Sequence, residues 1–95
     1  MNINEYYRTS NFELAVFLIT KDFHLLNIEN VLNTKNDSSR KVFIFDHLPE
    51  LKTLVRVFYF NKYNDPEILV DARKLFQARR RLKTQLINLE YHDKE

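Results

Sequence analysis

The chain has 95 residues, of which 44% are hydrophobic and 29% charged, with a formal net charge of +2 at pH 7. That is the profile of one soluble globular domain with no room for a second core. Cysteine and glycine are both absent, which excludes disulfides, thiolate metal sites and cysteine nucleophiles, together with the glycine-rich loops that cradle phosphates in nucleotide enzymes.

The first residues are polar, and the apolar run over residues 14–19 is too short to span a bilayer and follows no basic leader. A cytoplasmic protein without a membrane partner is expected. Tyr6-Tyr7-Arg8 reads as a short edge strand. Ser10 and Glu13 then have the spacing of a capping box, so a helix is expected over residues 11–21. Phe12, Ala15, Val16 and Ile19 line one side of it, while Leu14, Phe17 and Leu18 cover the other. A helix apolar all round has to be enclosed, which makes this the central core helix.

Residues 24–33 read as a strand, with Leu26 and Ile28 alternating against Asn27 and Glu29. The polar cluster Asn33-Thr34-Lys35-Asn36-Asp37-Ser38-Ser39 is a turn in which Asn36 or Asp37 takes the positive φ that glycine would normally supply. Residues 40–46 return as a second strand and complete a β-hairpin.

Asp46 and Pro49-Glu50 open a helix over residues 49–63, with Leu51, Leu54, Val55, Phe58 and Tyr59 at i, i+3, i+4, i+7 and i+8. Val57 and Phe60 point away from that stripe, toward the last helix or a partner. Asp65 as N-cap and Pro66 at the first helical position predict a final helix over residues 66–90. Its apolar side carries Ile68, Ala72, Leu75, Leu82, Leu86 and Leu89, widened by Leu69 and Phe76. Arg79 fills the step between Leu75 and Leu82, so it requires a carboxylate or carbonyl partner, in its own chain or a dimer mate.

The predicted fold is therefore a single α+β domain over residues 1–95, in the order β-α-β-β-α-α. A hairpin and a short N-terminal strand pack against three helices, and the ends fray near 1–4 and 91–95.

Tyr7-x-Thr9, Leu14-Ala15-x-x-Leu18, Phe43-x-Phe45-Asp46, Pro49-Glu50-Leu51 and a closing Leu82-Lys83 together resemble a family of short phage- and plasmid-associated proteins built on a domain of unknown function. The resemblance touches most of the chain, but on core and capping residues, which specify a fold better than an activity. It implies a mobile-element setting, in which handling nucleic acid is common, and it carries no catalytic residue. It also implies a glycine at the exit of the first helix, where this chain reads Lys21-Asp22-Phe23 and Asp takes the turn.

No enzyme is expected, and no cofactor or metal. His24, His47 and His92 are far apart and form no ligand pair at metal spacing, and Asp65, Glu67 and Asp71 are acids of a helix start. Tyr6 and Tyr7 read as packing residues rather than as a stacking surface.

The remaining signal is charge. Residues 73–83 hold six basic residues (Arg73, Lys74, Arg79, Arg80, Arg81, Lys83) and no acid, and without them the rest of the chain carries −4. A local field of that kind attracts phosphate whatever the net charge. Arg73, Lys74, Arg80 and Arg81 are therefore the candidate contacts to DNA or RNA, without sequence specificity. The alternative is an interaction module or homodimer acting through Val57, Phe60 and Arg79.

Overall fold

A computed structural model of the chain describes residues 6–33, 38–60 and 69–93. Its elements are β1 (Tyr6–Thr9), α1 (Phe12–Thr20), β2 (Leu25–Asn33), β3 (Ser38–Asp46), α2 (Pro49–Phe60) and α3 (Ala72–Asp93). The expected order β-α-β-β-α-α holds, with a three-stranded antiparallel sheet in the order β1-β3-β2. The proposed cap at Asp65-Pro66, the last turn of the helix from Pro49 and the hairpin tip at Lys35, Asn36 and Asp37 lie outside the described residues.

β3 is the central strand, and Val42, Phe43, Ile44 and Phe45 are all buried in it. Alternation sends Phe43 and Phe45 to the helical face, where both join the core. Val42 and Ile44 face the other way. Arg8 of β1 stands opposite Ile44 and Glu29 of β2 opposite Val42, and the two side chains form an ion pair across the central strand. Their stems shield the two aliphatic residues while their charges stay in water.

The alternation expected for β2 fails at one point. Leu25 pairs with Phe45 and Asn27 with Ile44, so Leu26 is the extra residue of a bulge and is exposed. Ile28, opposite Phe43, keeps its inward position. The bulge shifts the phase of the strand by one residue, which makes Leu25 rather than Leu26 the inward partner of Ile28.

α1 is the hub. Leu14, Ala15, Val16, Phe17 and Leu18 are all buried, and the hydroxyl of Thr20 donates to the Val16 carbonyl at 2.8 Å. Its N-cap is Asn11 rather than Ser10: the Asn11 side chain accepts from the Leu14 N–H at 3.1 Å, and the Asn11 N–H donates to Thr9 Oγ1. Asn and Ser cap about equally well. The helix enters one residue later because β1 extends through Thr9.

At its other end Asp22 has φ 72°, the left-handed turn expected at Lys21-Asp22-Phe23. The Phe23 N–H donates to the Leu18 carbonyl and the Asp22 N–H to the Ile19 carbonyl, both at 3.0 Å. This crossed pair is a Schellman closure, and Phe23 folds back onto the core as such closures favour.

α3 begins later than expected. Leu69, Val70 and Asp71 are not helical, and the Asp71 carboxylate accepts from the Arg73 N–H at 2.8 Å and the Lys74 N–H at 3.3 Å. Asp71 is thus the N-cap. The helix then runs to Asp93, beyond the expected end at 90.

Its inward stripe is Leu75, Ala78, Leu82 and Leu86, with Ala78 and Leu82 buried. Ala78 rather than Arg79 takes the inner step. Ala72, Leu69 and Phe76, expected on the apolar side, are exposed instead. A small residue at the contact lets α3 approach α1 without desolvating a guanidinium. Arg79 lies on the flank, half-exposed, and meets Glu13 of α1 at 3.4 Å.

Two stability measurements follow from this geometry. Asp22→Gly relieves a strained residue and is expected to raise the unfolding free energy by roughly 0.5–1 kcal/mol, with Asp22→Val lowering it by about 1–2 kcal/mol. Urea denaturation reads both, and a destabilised glycine variant would shift the importance to the carboxylate. Ala78→Leu overpacks the contact and should cost about 1–3 kcal/mol. Arg79→Ala removes only an exposed ion pair and should cost less than about 1 kcal/mol. The opposite ranking would mean that the helix presents a different face.

Candidate nucleic-acid interface

The acids that meet α3 decide which of its cations are available to a ligand. α1 runs along its N-terminal half: Glu13 pairs with Arg79, Lys21 Nζ donates to the Leu69 carbonyl at 2.9 Å, and Asp22 lies 3.8 Å from Lys74. No acidic residue occurs in α3 over 73–89. Arg73, Arg80, Arg81 and Lys83 are exposed and, among the described residues, have no carboxylate in salt-bridge range.

The four expected phosphate contacts form two columns. Arg73 and Arg80 are seven residues apart, about 10.5 Å along the axis, and project opposite Leu75 and Leu82. Lys74 and Arg81 form the second column, turned toward the end of α1. There they line a shallow pocket of about 130 Å³ with Thr20, Asp22 and Gln77. The carbonyl end of α1 and the Asp22 carboxylate make that pocket less favourable to an anion. The outward column is the freer of the two.

Two residues not assigned to the site share its outward arc. Phe76 is 62% exposed and lies one turn from both Arg73 and Arg80, and Ile87 is 61% exposed one turn beyond Lys83. The signal for Phe76 was available in its i−3 and i+4 spacing to two arginines, but the residue reads equally well as one edge of the apolar stripe.

The other candidates are dispersed. Phe60 is 80% exposed, Val57 half-buried and Arg79 paired within its own chain. Tyr6 is exposed at the edge strand, whereas Tyr7 packs against the core with its ring 6.5 Å from that of His47. His24 and Asp46 are exposed, and among the described residues no three of His, Asp and Glu converge on a metal-sized site. No helix among the described residues is long and apolar enough to cross a membrane.

Burial raises the Tyr7 phenol above its usual value of 10.0; nearby Tyr59 adds to the rise, and the Thr9 hydrogen bond opposes it. The folded state therefore holds this proton more tightly than the unfolded chain. The associated stability is intact below about pH 10 and falls as pH rises through the folded value. Tyr7→Phe should flatten the alkaline decline in denaturant unfolding above that pH. An unchanged decline would show that Tyr7 ionises as freely when folded as when unfolded.

Residues 4–88 match the family model described as Domain of unknown function (DUF5659). No curated protein and no solved structure matches the chain. The sequence resemblance thus holds at the level of a domain family to which no activity is attached.

Proposed function

We propose that this chain, which belongs to the DUF5659 family, is a non-enzymatic nucleic-acid-binding accessory protein of a phage or other mobile element. The mobile-element setting comes from the sequence resemblance alone. Binding is to phosphates, through Arg73, Lys74, Arg80 and Arg81, and is independent of base sequence. One observation carries the reading: a helical surface free of acids over 73–89, on which Arg73, Arg80, Arg81 and Lys83 have no carboxylate partner among the described residues. Charges left unneutralised in a protein of net +2 create a local field toward which an anionic polymer is drawn.

If about four phosphates are neutralised on duplex DNA, log K falls against log salt with a slope of roughly −3.6, or on the order of 100-fold between 50 and 200 mM. Arg80→Ala should reduce the slope by about 1, and Lys74→Ala by less because Asp22 already engages Lys74. Fluorescence anisotropy across a salt series checks this. Equal binding by a folded Arg73→Ala, Lys74→Ala, Arg80→Ala, Arg81→Ala variant would remove the reading.

A second reading rests on Phe60, 80% exposed at the end of α2. In that case the chain is an interaction module or homodimer. Association would then persist at high salt in light scattering and be lost in Phe60→Asp.

A further inference from the structure

The outward arc of α3 carries an aromatic ring among its cations. Phe76 is 62% exposed, although an aromatic ring ordinarily contributes a large buried area. Arg73 lies about 4.5 Å before it along the helix axis and Arg80 about 6 Å after it. Lys83 and Ile87 continue the same face one and two turns beyond Arg80, with no acid among them.

We infer that the nucleic acid bound here is single-stranded, with Phe76 the platform on which an unpaired base stacks while Arg73, Arg80 and Lys83 hold the flanking phosphates. This rests on the phosphate-binding reading above and specifies its ligand. In a duplex the base faces are already stacked, and only phosphates, sugars and the groove edges of the bases are accessible, so an exposed phenyl ring finds no base face to stack on. A single strand exposes base faces and phosphates alternately, matching the alternation of cation and ring on this face.

Anionic membrane is the competing ligand for a basic surface with exposed apolar residues. An interfacial helix separates its apolar and charged faces so that one enters the acyl region. Here Phe76 and Ile87 lie in line with the cations, about 16.5 Å apart along the axis, and form no continuous apolar face. That arrangement favours stacking.

The test compares the full chain with Phe76→Ala, Phe76→Leu and Phe76→Trp variants. Each is titrated against a labelled oligothymidylate of about 16 nucleotides, the matched duplex, and vesicles of phosphatidylcholine with phosphatidylserine. We expect the wild type to prefer the single strand by at least about 5-fold. Phe76→Ala and Phe76→Leu should weaken single-strand binding by about 5- to 10-fold, with the salt slope and duplex affinity unchanged. The chain contains no tryptophan, so Phe76→Trp provides the sole indole signal, and quenching on binding would report stacking directly. Single-strand binding unchanged in Phe76→Ala but lost in the four-residue alanine variant would overturn the stacking inference and leave the phosphate strip standing. Duplex affinity equal to single-strand affinity, or vesicle binding tighter than either, would overturn the inference as well. No binding of the wild type to either oligonucleotide would remove the underlying reading.

Discussion

The burial of α1 on every side constrains the rest of the molecule. Residues 14–18 are five consecutive buried positions, so through its middle turns no face of this helix is left to water. Each needs a wall: Phe43 and Phe45 of the sheet, Leu51 and Leu54 of α2, and Ala78 and Leu82 of α3 contribute to one cluster with α1. The Phe17 and Phe58 rings, 5.5 Å apart, tie α2 to the same helix. The backbone groups at the two ends of the helix have no partner within the helix itself. Asn11 at one end and the crossed bonds around Asp22 at the other supply those partners.

The same constraint shapes the candidate surface. α3 gives α1 only a narrow stripe, in which Ala78 permits close approach, and the rest of its circumference remains exposed. The acids that meet it, Glu13 and Asp22, lie in the first turn of α1 and just beyond its last residue. They neutralise the cations on the flanks, at Arg79 and Lys74, and leave the outward arc positive. Packing and electrostatics therefore sort the basic residues of one helix into those with a carboxylate partner and those exposed without one among the described residues. A charged surface on a helix docked to a rigid core also loses less conformational entropy on binding than one on a mobile loop.

Much of this was legible from the sequence where periodicity and local chemistry agree. The hairpin and the fully apolar α1 each follow from residues that admit one reading, and the left-handed turn at Asp22 follows from the glycine that the family resemblance implies there. The departures arise where two readings are locally equivalent. Asp65-Pro66 and Asp71 both read as adequate N-caps, and it is the Asp71 carboxylate that accepts from the Arg73 and Lys74 N–H groups. Leu75 and Leu82 can be joined through Ala78 or Arg79, and spacing alone does not choose between them. The cost of desolvating a guanidinium does. The bulge at Leu26 leaves no periodic trace, because Leu25 and Leu26 are both leucine. For the site, the cations were legible as a cluster, but their division depends on Glu13 and Asp22, which are remote in sequence. Phe76, like Arg79, lies just beyond the edge of the stripe that Leu75, Ala78, Leu82 and Leu86 form, and spacing alone does not set where that edge falls.

The central claim is that the outward arc of α3 is the ligand surface and that the sheet and α2 serve to hold it. Backbone amide NMR of the labelled chain, titrated with a short oligothymidylate at low salt, tests that most directly. The account predicts shift changes concentrated at Arg73, Phe76, Arg80, Lys83 and their neighbours, with β1, β2 and α2 unaffected. Changes centred on the Arg8–Glu29 face of the sheet or on Phe60, with α3 silent, would contradict it.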